Sequence, residues 1–553
     1  MRKTCSIVLL LVVSSLPLRA QILPAMAYGG LDDERAFALA EATSQDGYVL
    51  AGWTKSFGIA TPAFSNVLIV KTDSFAIPQW ARVSIGIFDD EAHSMTPTSD
   101  GGYAITGWTR SFGPYFPDST NIFVVKIDSA GLWQWGFVYG SPFCEEAYSI
   151  IQTVDGGYAV TGWTNLFAGM PPTIPPNIFL LKLDPVGNIM WTWLYWFGMN
   201  LEDEGYSIAE IPTAGATSRY LIAGRAKVFN PVHFDAFVLQ TDPAGVPVSL
   251  ASVVPGQFED EAYSVLWGGT SFLAAGWSNS HSNGTEADII VWQDDTAAGP
   301  PMSAYHFGWS NDEKVMDDRS LNGISGHWQV SGWTQSAGPG IPNPNFLIIG
   351  YDTSGFSGRV HPSAPGANTE QAYPMISTTV ADARYAIAGF TNSFGQGGDD
   401  FHLLTLDWGL TRPECVIDSL PPFDSIQILQ EDFLGEPSQF GRFEDFPLED
   451  TMVMYTEICT LQTGVMEIPT ESYKTELNVY TSFEYVTVQI GRQGWLRAYL
   501  FDVTGREVAT LAESMFEKGT HMLVLPKNIG AGVYYVRVDF DGVVKSAKVL
   551  RYR

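Results

Sequence analysis

The sequence predicts an all-β protein: a seven-bladed β-propeller of four-stranded blades, followed by a small Ig-like β-sandwich. Three observations predict it. A strand ending on a small residue, Gly, an aromatic and a hydroxyl recurs seven times with one departure. It reads AGWT at Gly52, TGWT at Gly107 and Gly162, AGRA at Gly224, AGWS at Gly276, SGWT at Gly332 and AGFT at Gly389. The intervals of 55, 55, 62, 52, 56 and 57 residues are those of a repeat architecture. Finally, 54 glycines, 13% aromatics and only 16% charged residues suit short strands and tight turns rather than helices.

The third repeat, Glu146 to Gly198, displays the unit. Alternation at Tyr148, Ile150 and Gln152 makes a first strand that runs into Asp155-Gly156-Gly157, a turn where Gly tolerates positive φ. Tyr158 to Thr164 is the second strand, and a Pro-rich loop leads to the third, Ile178 to Asp184. The turn Asp184-Pro185-Val186-Gly187 then enters a fourth strand carrying Trp191, Trp193 and Tyr195. A meander of this kind cannot bury both faces alone, so copies must stack. The ends of the array predict how. ILPAMAYGG, Ile22 to Gly30, matches the fourth-strand ending QWGFVYGS, Gln134 to Ser141, while the seventh repeat stops after its third strand near Asp407. The N-terminal strand is therefore expected to complete the last sheet and close a ring over residues 21–410, which removes open edges. The pattern D-G-G-Y, G-W-T, K-x-D and a Trp strand resembles secreted bacterial propeller-repeat proteins; that resemblance implies a fold and not a function.

Charge excludes some partners. With 30 basic and 60 acidic residues, the chain lacks the clustered cations that nucleic acid or an anionic membrane surface requires. Residues 1–20 read as a secretory signal peptide: Arg2 and Lys3, an apolar Ile7 to Val13 core, and Leu18-Arg19-Ala20 before a cut at Gln21. No later stretch approaches the roughly 20 apolar residues of a membrane span, so no transmembrane segment is expected. Of four cysteines Cys5 lies in the signal, and in an oxidising compartment Cys415 and Cys459 are candidates for a disulfide.

An acidic residue precedes every first strand. Aligning on the Ala-aromatic-Ser step that follows selects Glu34, Asp90, Glu145, Asp203, Asp260, Asp312 and Glu370, the sixth by spacing only. Two readings stand. Each carboxylate accepts hydrogen bonds from a turn or a neighbouring blade and sets blade spacing, or together they bind a hard cation such as Ca²⁺ at the mouth of the ring. No Asp-x-Asp-x-Asp-Gly loop accompanies them, and no cofactor is otherwise implied. The Pro/Gly-rich loops after the second strands carry Phe64, Tyr115 and Phe116, candidates for a ligand face on a rigid scaffold.

None of the eight histidines stands in an HExxH or HxH arrangement, and no G-x-S-x-G elbow or P-loop occurs. Paired acids abound, but they repeat sevenfold whereas an active site is unique to one place. The expectation is a non-catalytic binding or scaffold protein, not an enzyme, with an extracellular polysaccharide or protein as ligand. The alternative is a secreted carbohydrate hydrolase or lyase. A cluster of non-repeated His, Arg, Tyr and carboxylate side chains at the mouth would favour that alternative.

Residues 411–466 are acidic and Pro-rich, a linker or small strapped module. Residues 467–553 read as six or seven short strands forming a sandwich. The segments Asp502-Val503-Thr504-Gly505-Arg506-Glu507-Val508 and Gly530 to Arg537, with the basic ending Lys545 to Arg553, resemble the C-terminal sorting domain of the type IX (Por) secretion system. That resemblance implies recognition by the translocon, passage through the outer membrane and a secreted or cell-surface location. The usual Asn-Pro-Phe opening is replaced by Tyr480-Thr481-Ser482-Phe483.

Overall fold

In the computed structural model every regular element described is a strand. The structure describes most residues between 25 and 406, the stretches 423–426, 429–431, 434–438, 441–442, 448–451 and 454–457, and most of 477–551. The expected signal peptide over residues 1–20, and Tyr115, Phe116, Cys415 and Cys459, lie outside the described residues. Two compact units result, Met1–Leu461 and Gln462–Arg553. Among the described residues no helix is long and apolar enough to cross a membrane.

The first unit is a succession of antiparallel sheets of the propeller-blade kind. In the third, Glu145–Gln152, Tyr158–Thr164, Asn177–Leu183 and Ile189–Trp196 pair in chain order. The sixth sheet departs: its first strand comes in two pieces, Glu313–Lys314 and Leu321–Ile324, both against His327–Thr334. In the seventh, Ala25–Gly29 pairs with Asp400–Leu406, so the N-terminal strand does complete the last sheet.

The recurring Gly has a steric cause. Each well-formed first strand carries a bulge, as between Ala147 and Ser149, which pushes its backbone against the second strand. A Cβ on Gly162 would lie 1.9 Å from the Glu146 carbonyl oxygen. The same clash, at 1.8 to 2.3 Å, faces Gly52, Gly107, Gly224, Gly276, Gly332 and Gly389. Only a residue without Cβ admits this approach.

The cores lie between sheets. Val49 and Ile69 of the first sheet pack with Ile105 and Phe123 of the second, and so on to Ile348 of the sixth with Ile387 and Leu404 of the seventh. One further cluster joins Met26, Tyr28 and Phe401 of the seventh sheet to Leu39, Leu50 and Leu68 of the first. At the ends of the strands, Lys71, Lys126 and Lys182 are buried against turn carboxylates Asp46, Asp100 and Asp155 at 2.8–2.9 Å. Burial alone would raise the Asp100 carboxyl, but hydrogen bonds from Thr98, Lys126 and Gly102 hold it down to about 2.

The stretch read as a linker or strapped module supplies six short strands. Phe423–Ile426, Leu429–Glu431, Leu434–Ser438, Gly441–Arg442, Leu448–Thr451 and Met454–Glu457 add a fifth strand to sheets five, four, three, two, one and seven, in that order. The chain thus retraces the array backwards along the edges opposite the first strands, covering edges that would otherwise invite pairing with another chain.

The second unit contains a three-stranded sheet, in the order Leu477–Thr481, Tyr485–Ile490, Gly519–Val524, and a four-stranded one, in the order Glu507–Phe516, Gly494–Asp502, Gly532–Phe540, Val543–Arg551. Val486, Val488 and Ile490 of the one share a core with Leu496, Leu500, Val536 and Phe540 of the other.

Candidate functional site

The hydroxyl that ends each second strand and the acid that begins each first strand are cross-strand partners. Glu34 faces Thr54, Asp90 faces Thr109, Glu145 faces Thr164, Asp260 faces Ser278 and Glu370 faces Thr391. The hydroxyl donates to the carboxylate at 2.6 Å in the first sheet, 2.5 Å in the second and 3.0 Å in the third. The other carboxylate oxygen accepts from the incoming connection, as Gly30 N–H does with Glu34 at 2.6 Å and Ser141 N–H with Glu145 at 3.1 Å. Of the seven predicted acids all but Asp312 are buried, Asp203 and Glu370 included. Burial pushes the carboxyls of Asp90, Glu145, Asp203 and Asp260 up to about 7, and raises Glu34, against the lowering effect of these hydrogen bonds.

One sheet corrects the sequence alignment, and another keeps the register but changes the partner. In the sixth the partner of Thr334 is Glu313, not Asp312, with Thr334 Oγ1 donating to it at 2.7 Å. Asp312 stands one residue earlier, where its Oδ1 accepts from Ala287 N–H of the preceding sheet at 2.9 Å. Asp89 and Glu259 do the same toward Ser65 and Phe234, and Asp33 toward Asp399. The register slipped because Lys314-Val315-Met316 lacks the Ala-aromatic-Ser marker. In the fourth sheet Asp203 faces Ala226, which has no hydroxyl to offer, and Asp203 accepts instead from Phe197 N–H at 2.9 Å.

The backbone amide of each buried acid also donates to the preceding sheet, to the carbonyl just before its third strand. The pairs are Asp90 to Ser65, Glu145 to Thr120, Asp203 to Pro176, Asp260 to Phe234, Glu313 to Ala287, Glu370 to Pro344 and Glu34 to Asp399, at 2.5 to 3.1 Å. The last of these runs from the first sheet to the seventh. These carboxylates accept hydrogen bonds from their own sheet and from the connection that enters it, and among the described residues no group of three His, Cys, Asp or Glu side chains is placed to hold a metal ion.

The positions beside this ring assemble a second set of functional groups. Three residues after each buried acid come Phe37, His93, Tyr148, Tyr206, Tyr263, Met316 and Tyr373, all but Met316 within first strands. Six of these rings touch in an unbroken series across sheets seven, one, two, three, four and five. Centroids are 4.9 Å apart for Tyr373–Phe37, 5.0 Å for Phe37–His93, 5.1 Å for His93–Tyr148, 5.5 Å for Tyr148–Tyr206 and 4.4 Å for Tyr206–Tyr263. The G-W-T tryptophans stand behind them: Trp163 Nε1 donates to the Tyr148 hydroxyl and Trp108 Nε1 to His93 Nε2, both at 3.1 Å.

Between acid and ring come Arg35, Glu91, Glu146, Glu204, Glu261, Lys314 and Gln371. Tyr148, Tyr206 and Tyr263 each donate to the carboxylate two residues before, at 2.8, 2.6 and 2.7 Å. Arg225, standing where other sheets have Trp or Phe, bridges Glu204 and Glu261 at 2.9 and 2.7 Å. This collar was not foreseen from sequence; the visible signal was the second acid of each pair and the aromatic two positions on. Phe64, a loop candidate, is half-buried with its ring edge-on to Phe88 at 5.3 Å. Cys144 is half-buried and unpaired by disulfide. No known protein family matches this chain, and no curated protein is similar to it in sequence.

Proposed function

We propose that the chain is a secreted or cell-surface seven-bladed β-propeller with an Ig-like C-terminal sorting domain, and that its role is non-catalytic binding at the face carried by the first strands. One observation carries the reading. Seven equivalent amide-to-carbonyl bonds link successive sheets, and the one between Glu34 and Asp399 joins the first to the last. Such a chain of contacts closes on itself in a ring, the architecture that leaves only short, protected edges. A ring brings every first strand to a common axis, so the collar of aromatic and charged groups is the chemistry offered there. Export through a type IX translocon rests on the residues of the tail alone.

The buried acids favour a structural role over Ca²⁺ binding, since most of them already accept hydroxyl and amide protons from their own strand pair and the connection entering it. The hydrolase or lyase reading retains one observation in its favour: His93, Arg225 and Lys314 break the repeat within the collar. Against it, the Trp, Tyr and carboxylate groups there are bonded mainly to one another. Residues 21–553 probed on a glycan array and incubated with polysaccharides decide between the two. Retention of a glycan without new reducing or unsaturated ends is expected; turnover of any polysaccharide overturns the non-catalytic reading.

A further inference from the structure

The collar contains its own precedent for a ligand. Arg225 of the fourth sheet lies between Glu204 of its own first strand and Glu261 of the next, with its guanidinium 5.8 Å from the Tyr206 ring centroid. Arg35 and Lys314 likewise rest over aromatic rings, Arg35 at 4.4 Å from Phe390 and Lys314 at 3.7 Å from Trp277. Three of the chain's cations thus rest on aromatic faces here, and the two arginines also pair with carboxylates, Arg35 with Asp399 and Arg225 with Glu204 and Glu261.

Sheets two and three repeat the carboxylate half of the Arg225 arrangement without the cation. Glu91 and Glu146 occupy the positions of Glu204 and Glu261, and Trp108 occupies that of Arg225. Among the described residues Glu146 accepts from Tyr148 but has no Lys or Arg partner, while Glu91 has Ser65 Oγ at 3.2 Å and His93 Nε2 at 3.6 Å. The side chains of His93 and Glu91 keep 18% and 21% of their surface exposed, enough for a ligand to reach them. We propose that Glu91 and Glu146, with the faces of His93 and Tyr148, bind the guanidinium of an arginine side chain presented by a partner, as Glu204 and Glu261 bind Arg225. This rests on the ring reading, which brings the two first strands side by side. The planar fork of a guanidinium suits two carboxylates from adjacent strands better than an ammonium point charge does.

Calorimetric titration of the full chain with acetyl-Gly-Arg-Gly-amide at low salt tests it, with the isosteric, uncharged citrulline peptide as control. Binding by the arginine peptide alone is expected, weakened about tenfold by Glu91→Gln or Glu146→Gln and unaffected by Glu513→Gln in the second unit. Trp108→Arg would supply the cation internally and is expected to abolish binding while leaving the melting temperature unlowered. Glu146→Gln, nearly isosteric, keeps the test valid if Trp108→Arg does not fold. Equal binding of the citrulline peptide, indifference to both glutamine variants, or no binding at millimolar peptide overturns the inference. Glycan retention alongside that last result would leave the proposed function standing and sink only the arginine site.

Discussion

Sheets three and four perform the same task with different chemistry. In the third, Thr164 donates to buried Glu145, and a relay runs from the Trp163 indole through the Tyr148 hydroxyl to Glu146. In the fourth, the hydroxyl is replaced by Ala226 and the indole by Arg225, which pairs directly with Glu204 and with Glu261 of the next sheet. Both keep the Gly that admits the bulged first strand, since a Cβ on Gly162 or Gly224 would stand 1.9 Å from a backbone carbonyl. Backbone approach is thus the invariant, and the side-chain ties around it are exchangeable. A neutral relay holds one sheet to itself, whereas an ion pair also holds one sheet to its neighbour.

The largest effect expected is common to both sheets and tests whether their acids are held alike. Glu145 and Asp203 are both raised to about 7 by burial, as are Asp90 and Asp260. A carboxyl raised above its unfolded value of about 4 stabilises the fold fully only below that value and loses the contribution as pH climbs through the folded pKa. Stability should therefore fall between pH 5 and pH 8, by at least about 3 kcal/mol summed over the four sites. The lowered groups, such as Asp100, act on the opposite side: their contribution is lost only as pH falls from about 4 through about 2. Urea unfolding of the first unit's signal at the two pH values reads this directly. Equal stability at pH 5 and 8 would show the carboxyls to be ordinary.

Arg225→Met separates the sheets. It leaves Glu204 and Glu261 facing each other without their cation, at a cost of about 3 kcal/mol, the low end for a broken buried pair because the guanidinium keeps a quarter of its surface exposed. The matching change in the third sheet, Trp163→Phe, removes one indole N–H donor and should cost only about 1 kcal/mol. If the two substitutions cost the same, the ion pair is no stronger a tie than the relay. Calorimetric melting of both variants decides it.

Much of this was legible in the residues. The G-W-T period and the orphaned N-terminal strand located the sheets and the pairing of Ala25–Gly29 with Asp400–Leu406, because a strand's alternation and its turn residues are local signals. Register was legible only where a marker survived, which is why Glu313 was passed over for Asp312. The link between the acid and the hydroxyl was written in every repeat but the fourth, yet it depends on cross-strand pairing, which a bulge shifts by one residue. The strap of six strands from Phe423 to Glu457 escaped notice since strands of two to five residues leave no period to read. The collar escaped for another reason: its neighbours come from sheets some 55 residues apart, and only stacking makes them adjacent.

Effects below that of Arg225→Met are expected from moving the hydroxyl itself. Thr164→Val deletes the donor to Glu145 while keeping the shape, leaving a buried carboxyl short of one bond, and should cost about 2 kcal/mol. Ala226→Ser does the reverse in the fourth sheet. Ser278 already serves Asp260 in the fifth sheet, so a serine at this register reaches the carboxylate without extra bulk. It should stabilise by about 1 kcal/mol, since a hydrogen bond is gained and only one hydroxyl is desolvated. The combination with Arg225→Met then asks whether the two ties are independent. Residues 225 and 226 are neighbours in sequence but point to opposite faces of the strand, so their effects should add. A serine that stabilises only in the Arg225→Met background would mean that the fourth sheet's ion pair already does the work of the missing hydroxyl.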